Sequence, residues 1–203
     1  MMSIIQDRNA GVPERSNGCA SGAYSLVLSR VRILSPAYFY KNEKMVKIIE
    51  TKNFIVEAVE KPHIDRDDGG HIKITPKSKV VDRQHLSAPL SIELMRLIAI
   101  TGEAMTAVMN RRGVDIGRIN YQDMGNWSVF KPEGPFFHYH IYGRAKSARY
   151  QKYGECVYLP LREQNPEYYD RFKPLNEGDI KEIKKEIERL FKTEKYSDFA
   201  WKL

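Results

Sequence analysis

The stretch of this chain richest in chemistry is short: Gly134 to Arg144, reading GPFFHYHIYGR. Two imidazoles, His138 and His140, stand two residues apart, and the phenol of Tyr142 follows at the same interval. Two residues is the strand period. An extended backbone therefore puts His138, His140 and Tyr142 on one face and Phe137, Tyr139 and Ile141 on the other. Gly134 and Pro135 open this strand, Gly143 closes it, and Arg144 follows at its polar end. Near neutral pH an imidazole serves as nucleophile, acid or base, and an arginine beside it stabilises phosphoryl charge. Phosphate chemistry is one reading of this row. His-x-His on a strand is also a metal-ligand spacing. A half-buried aromatic strand without chemistry is the third reading, and a motif this short leaves all three open.

The rest of the chain must position that strand. Its 203 residues suit one domain with extensions, and 42% hydrophobic content is enough for a core. Residues 1–44 are rich in Gly, Ser, Asn and Pro without periodicity, so they read as an N-terminal extension, a disordered lead-in, with a strand or short helix at Tyr24–Leu34. Translation could start at Met1 or at Met45, where the first well-patterned segment opens. VKIIE (46–50) and FIVEAVE (54–60) read as strands, and Pro62 breaks the second. DRDDGG (65–70) reads as a solvated turn. In HIKIT (71–75), His71, Lys73 and Thr75 share one face, Ile72 and Ile74 the other, and Pro76 stops the strand.

A long amphipathic helix is predicted over 87–110, capped by Ser87 and closed by Gly113. Strands follow at 114–120 and 154–160, with a polar and aromatic connection over 121–132 between the first of them and the motif strand. A second amphipathic helix is predicted over 176–191, with Asn176 as its cap and a solvated Lys/Glu face. The aromatic tail YSDFAWKL must dock or mark a contact. Strands, one long helix, then more strands define an α+β class: an antiparallel sheet with one main helix packed on it, preceded by the N-terminal extension and followed by a C-terminal helix. The expected division is an extension at 1–44, a globular α+β domain at 45–160 and a C-terminal helical extension at 161–203.

The net charge of +7 favours an anionic partner such as a nucleotide, and permits nucleic acid without requiring it. Cys19 and Cys156 are far apart and form no CxxC, which argues against a disulfide framework or a structural zinc and fits the cytoplasm. No apolar run reaches membrane-spanning length.

The order of these pieces carries a resemblance. A strand with His71 ends in ITPK, a helix follows, then a strand ending at Asn120, then His138-φ-His140-φ-Tyr142-φ-Arg144. This resembles the histidine-triad superfamily of nucleotide hydrolases and transferases over residues 45–145. The resemblance implies a nucleotide phosphohydrolase or nucleotidyl transferase working at an α-phosphate through a nucleotidyl-histidine. His140 matches the nucleophile, His138 the first motif histidine, and His71 the histidine on the strand before the family's helix. Asn120, Tyr142, Arg144 and Lys77 are the implied substrate contacts. Tyr142 stands where the family has its third histidine, as glutamine does in the branch that transfers uridylyl groups. Gly134-Pro135 replaces the family's Gln-Ser pair.

No metal and no cofactor is expected, because a third ligand is not obvious: His63 and His85 read as surface or loop histidines. A homodimer is implied by the family. The alternative from another class is a non-catalytic nucleotide- or RNA-binding module of the same fold, with Trp127, Tyr150 and Tyr153 as stacking surfaces.

Overall fold

A computed structural model describes residues 45–125, 128, 132 and 134–203 of the chain. The expectations for residues 1–44, including Cys19 and the element at 24–34, and for Trp127 lie outside the described residues.

Five strands form one antiparallel sheet: β1 (Met45–Glu50), β2 (Phe54–Val59), β3 (His71–Pro76), β4 (Ile116–Met124) and β5 (His138–Ala145). Their order across the sheet is β1-β2-β3-β5-β4, so the motif strand β5 lies between β3 and β4. Helix α1 (Ala88–Arg111) connects β3 to β4, and a short α2 (Pro166–Asp170) and then α3 (Glu177–Leu190) follow the sheet. The alternation read from sequence has the expected outcome. Val56, Ile72, Ile74, Phe137, Tyr139 and Ile141 point into one core with Leu97, Met105 and Val108 of α1. Ile183 and Ile187 of α3, and Tyr196 beyond it, belong to that same core. Gly113 stands just past α1 with φ +84°, the left-handed stop that glycine adopts without strain. Asn176 and Asp179 form a capping box at the start of α3. The tail forms a one-turn helix, α4 (Asp198–Trp201), whose Trp201 packs on the core while Phe199 stays exposed.

Three expectations need correcting. β4 runs on to Met124 instead of stopping at Asn120, because Tyr121 through Met124 pair with Ile141 back to His138. Gly143 does not close β5. It lies inside the strand because the backbone at Gly69 presses against it, and a Cβ on Gly143 would collide with the Gly69 carbonyl. Residues 154–160 form no strand. Gln151 uses its side-chain amide there as a one-residue strand neighbour, donating to the Tyr158 carbonyl (2.8 Å) and accepting from its N–H (3.0 Å).

The DRDDGG turn is not solvated either. Asp68 is buried, and its carboxylate accepts the N–H groups of Arg149, Tyr150 and Gln151 at 2.7–2.8 Å. Asp65 caps the short turn at Asp67 and accepts the Lys173 N–H at 2.7 Å. Runs of Asp and Gly look like exposed turns by composition. Here the carboxylates satisfy backbone donors that would otherwise be buried without partners.

Candidate functional site

The apolar face of the sheet is committed to the core, so every polar side chain of β3 and β5 falls on the other face. Register decides which of them meet. His71 lies opposite Tyr142, and Lys73 opposite His140. On the far side of β5, Met124 lies opposite His138, Gln122 opposite His140, and Asn120 opposite Tyr142. On the other side of β3, Glu57 of β2 faces Lys73. One row across the sheet therefore reads Glu57, Lys73, His140, Gln122.

His71, His138 and His140 converge as the sequence suggests. The His140 ring lies 4.9 Å from that of His71 and 4.7 Å from that of His138, centroid to centroid. A fourth imidazole joins them. His63, read from sequence as a loop or surface histidine, is buried, with its ring 4.9 Å from His71 and 5.3 Å from His140. Its Nδ1 lies 2.8 Å from the Tyr142 hydroxyl. Tyr142 itself is fully buried, with its hydroxyl between His63 and the Met124 sulfur. The other lone histidine, His85, is exposed as expected. Nothing periodic marks His63. Its only signal is that it follows Pro62 at the exit of a core strand.

Hydrogen-bond directions fix the tautomers of three of the four rings. The His63 backbone N–H donates to His71 Nδ1 at 3.1 Å. A neutral imidazole that accepts at Nδ1 carries its hydrogen on Nε2. His71 Nε2 thus donates to His140 Nδ1, 2.7 Å away, and His140 in turn carries its hydrogen on Nε2. His138 has the opposite arrangement: its Nδ1–H donates to the Phe136 carbonyl at 3.1 Å, which leaves its Nε2 with a lone pair. The rings are neutral at pH 7. Burial, followed by Arg162 and Lys73, pushes His63 down to about 3, and burial with Lys73 pushes His138 down to about 4. His71 and His140 lie well below the usual histidine range, chiefly through burial.

His63, His71 and His140 present ring nitrogens within 4.8 Å of one another, so the third imidazole that a metal site would need is present after all. The lone pairs it would need are already engaged, however. His71 Nδ1 is occupied by the His63 N–H, so its Nε2 is a donor and cannot ligate until that bond breaks.

The remaining predicted residues are placed apart from the rings. The buried Arg144 guanidinium donates to Asn120 Oδ1 (2.7 Å) and to the carbonyls of Lys152 (2.7 Å) and Glu155 (3.0 Å). Asn120 and Arg144 thus bond to each other and fasten the 151–155 turn. The Lys77 ammonium pairs with Glu50 of β1, a strand separated from β5 by β2 and β3. Arg144 Nε is nonetheless buried without a hydrogen-bond partner among the described residues, as are Thr75 Oγ1 and Gln122 Oε1 on the imidazole face. Buried polar atoms are normally satisfied, so Thr75 and Gln122 are candidates for ligand contacts that sequence reading did not single out.

No known family model matches the sequence, and no curated protein is significantly similar to it. Solved structures do resemble it. A histidine-triad protein from Sinorhizobium meliloti superposes with a TM-score of 0.50 at 12% identity, covering 71% of this chain and 88% of that one. Others from Marinobacter aquaeolei (0.49, 15% identity, 72% and 88% covered) and Bradyrhizobium japonicum (0.48, 15%, 71% and 89%) give similar overlaps. The fold is that of the histidine-triad proteins. On this histidine-triad sheet, His138 and His140 occupy β5 and His71 occupies β3. No helix among the described residues is long and apolar enough to cross a membrane.

Proposed function

We propose that the imidazole face binds the phosphate of a nucleotide or nucleotide conjugate and cleaves or transfers it at the α-phosphorus through a nucleotidyl-histidine on β5. The observation that supports this most is the composition of the cluster. Four neutral imidazoles lie within the influence of one lysine, Lys73, which stands opposite His140 and whose positive charge acts on all four. A fixed cation among neutral nitrogens suits an anionic phosphoryl group, and neutral nitrogens are the nucleophilic form. In this reading an imidazole lone pair forms an N–P bond as the P–O bond to the leaving group breaks. The leaving oxygen takes a proton from water. A second water then attacks phosphorus and returns the electron pair to nitrogen.

A second reading, a non-catalytic nucleotide-binding module, draws on the state of His140. The resemblance assigns it the attack, yet its Nε2 carries a hydrogen and therefore donates. A donor binds phosphate oxygen well and attacks phosphorus poorly. The two readings separate in one experiment. Protein is quenched during incubation with nucleoside phosphoramidates, dinucleoside polyphosphates and nucleotide sugars, then weighed by mass spectrometry. A nucleotidyl adduct that turns over supports the enzyme. Binding of nucleoside monophosphates with no adduct from any substrate supports the module.

A further inference from the structure

We propose that His138, not His140, is the histidine that attacks phosphorus, and that His140 serves as a donor to the phosphoryl oxygens. The inference rests on the nucleotidyl-histidine reading and assigns its reactive atom.

An attacking imidazole needs one nitrogen held as N–H by an acceptor and the other bare and reachable. Only one of the two β5 histidines meets both conditions. His138 Nδ1–H is held by the Phe136 carbonyl, and its Nε2 meets no hydrogen-bond partner among the described residues. His138 is also the less buried of the pair; it is partly exposed, whereas His140 is 4% exposed. His140 fails the first condition because its Nδ1 faces a donor. That donor is forced, since His71 Nδ1 accepts a backbone N–H that no change of side-chain tautomer can remove.

The surroundings suit this division of work. The rings of His138 and His140 meet edge to face at 4.7 Å. A phosphoryl group at His138 Nε2 would therefore have the His140 N–H as an immediate neighbour. Lys73 lies opposite His140 on β3, and Gln122 opposite it on β4. Thr75 follows Lys73 on the same face of β3, and its Oγ1, like Gln122 Oε1, is buried without a partner among the described residues. A cation, an imidazole N–H and the Thr75 hydroxyl can then donate to the developing phosphoryl charge. The Gly134-Pro135 pair supplies no such side chains.

In the first step the His138 Nε2 lone pair forms the N–P bond, and the P–O bond breaks with its electrons on the leaving oxygen, which water protonates. The positive charge on His138 is carried by its Nδ1–H, still bonded to the Phe136 carbonyl. In the second step water attacks phosphorus, loses its proton to solvent, and the N–P electrons return to Nε2.

The test is to map the adduct. Wild-type protein, His138→Asn, His140→Gln and His140→Ala are each quenched during single turnover and digested. The peptide carrying both histidines is fragmented by electron transfer, which preserves phosphoramidates. We expect the adduct on His138 in the wild type and none in His138→Asn. In both His140 variants it should persist, formed more slowly in His140→Ala than in His140→Gln, which retains an N–H donor. Thermal melts and monophosphate binding establish that each variant is folded. An adduct on His140, or one that survives in His138→Asn, overturns the assignment and leaves the nucleotidyl-histidine reading standing. No adduct on any residue of the wild type overturns both.

Discussion

This protein buries two polar clusters side by side, and they are built on opposite terms. Around Asp68 and Arg144, full charges are buried and their contacts are spent on backbone: three N–H groups on the carboxylate, and carbonyls together with Asn120 on the guanidinium. Around His140, four rings are kept neutral, the charges of Lys73 and Arg162 act on them, and Thr75 and Gln122 retain buried oxygens without partners among the described residues. The first arrangement fixes the chain and leaves little for a ligand. The second leaves hydrogen-bonding capacity unspent. Burial of polar groups marks both clusters, and even Arg144 retains a buried Nε without a partner among the described residues; what separates a fastening from a candidate site is whether the bonds that are made go to the chain's own backbone.

The largest expected effect tests the fastening. Asp68→Ala strips one buried and two partly buried N–H groups of their acceptor and should cost about 3–5 kcal/mol of stability. Urea unfolding of Asp68→Ala beside His138→Asn checks it: the histidine variant should lose far less stability while losing the adduct. Equal losses would erase the distinction between the two clusters.

Acid should strike the imidazole cluster next. His63 is held down to about 3 from an ordinary 6.5. The unfolded chain takes up this proton near pH 6.5, and the folded chain does so only near 3. Its contribution is therefore complete above pH 6.5 and is lost as pH falls through that window. At pH 5 His63 alone should remove about 2 kcal/mol, seen as a falling melting temperature between pH 7 and 5. A flat profile across that range would show that the rings are not buried as neutral groups.

Tyr142→Phe removes the hydroxyl from His63 and should cost about 1 kcal/mol. Because Tyr142 is sealed behind His63, the variant should change adduct formation little. A large kinetic loss with intact stability would place the phenol on the substrate instead. The smallest effect is a direction: Lys73→Met should move the titration of His138 upward from about 4, since Lys73 is the second cause, after burial, of its low value. Histidine C–H resonances followed against pH report it.

How much of this was legible in the sequence follows from where each signal resides. Strand parity is local, so spacing alone put His71 and Lys73 on one face of their strand and His138, His140 and Tyr142 on one face of theirs, while the family resemblance suggested that the two faces meet. The long helix, the C-terminal helix and the cap at Asn176 were readable for the same reason. His63 was not readable, because a lone histidine in a loop has no period; its burial comes from the 62–70 segment folding over β3 and β5. The same tertiary packing turned DRDDGG from a solvated turn into a loop whose carboxylates accept several backbone N–H groups. It also kept β5 going through Gly143, a residue whose local signal is to stop a strand. Arg144 and Asn120 were noticed for their types. Sequence could not show that they bond each other, because that depends on the β4–β5 register.

The contact between Gly69 and Gly143 has a consequence for how this chain can vary. Each glycine occupies the space a methyl group on the other would need, and Gly143 also donates its N–H to the Gly70 carbonyl at 3.1 Å. The gap between loop and strand is thus set by two α-carbons, and the loop carries His63. A single methyl at either position would lift the loop and take the His63 N–H away from His71, releasing the ring whose tautomer sets that of His140. Distant in sequence, the two glycines act as one locus. Gly69→Ala and Gly143→Ala should each inflict most of the damage alone, and the double variant should lose much less than the sum.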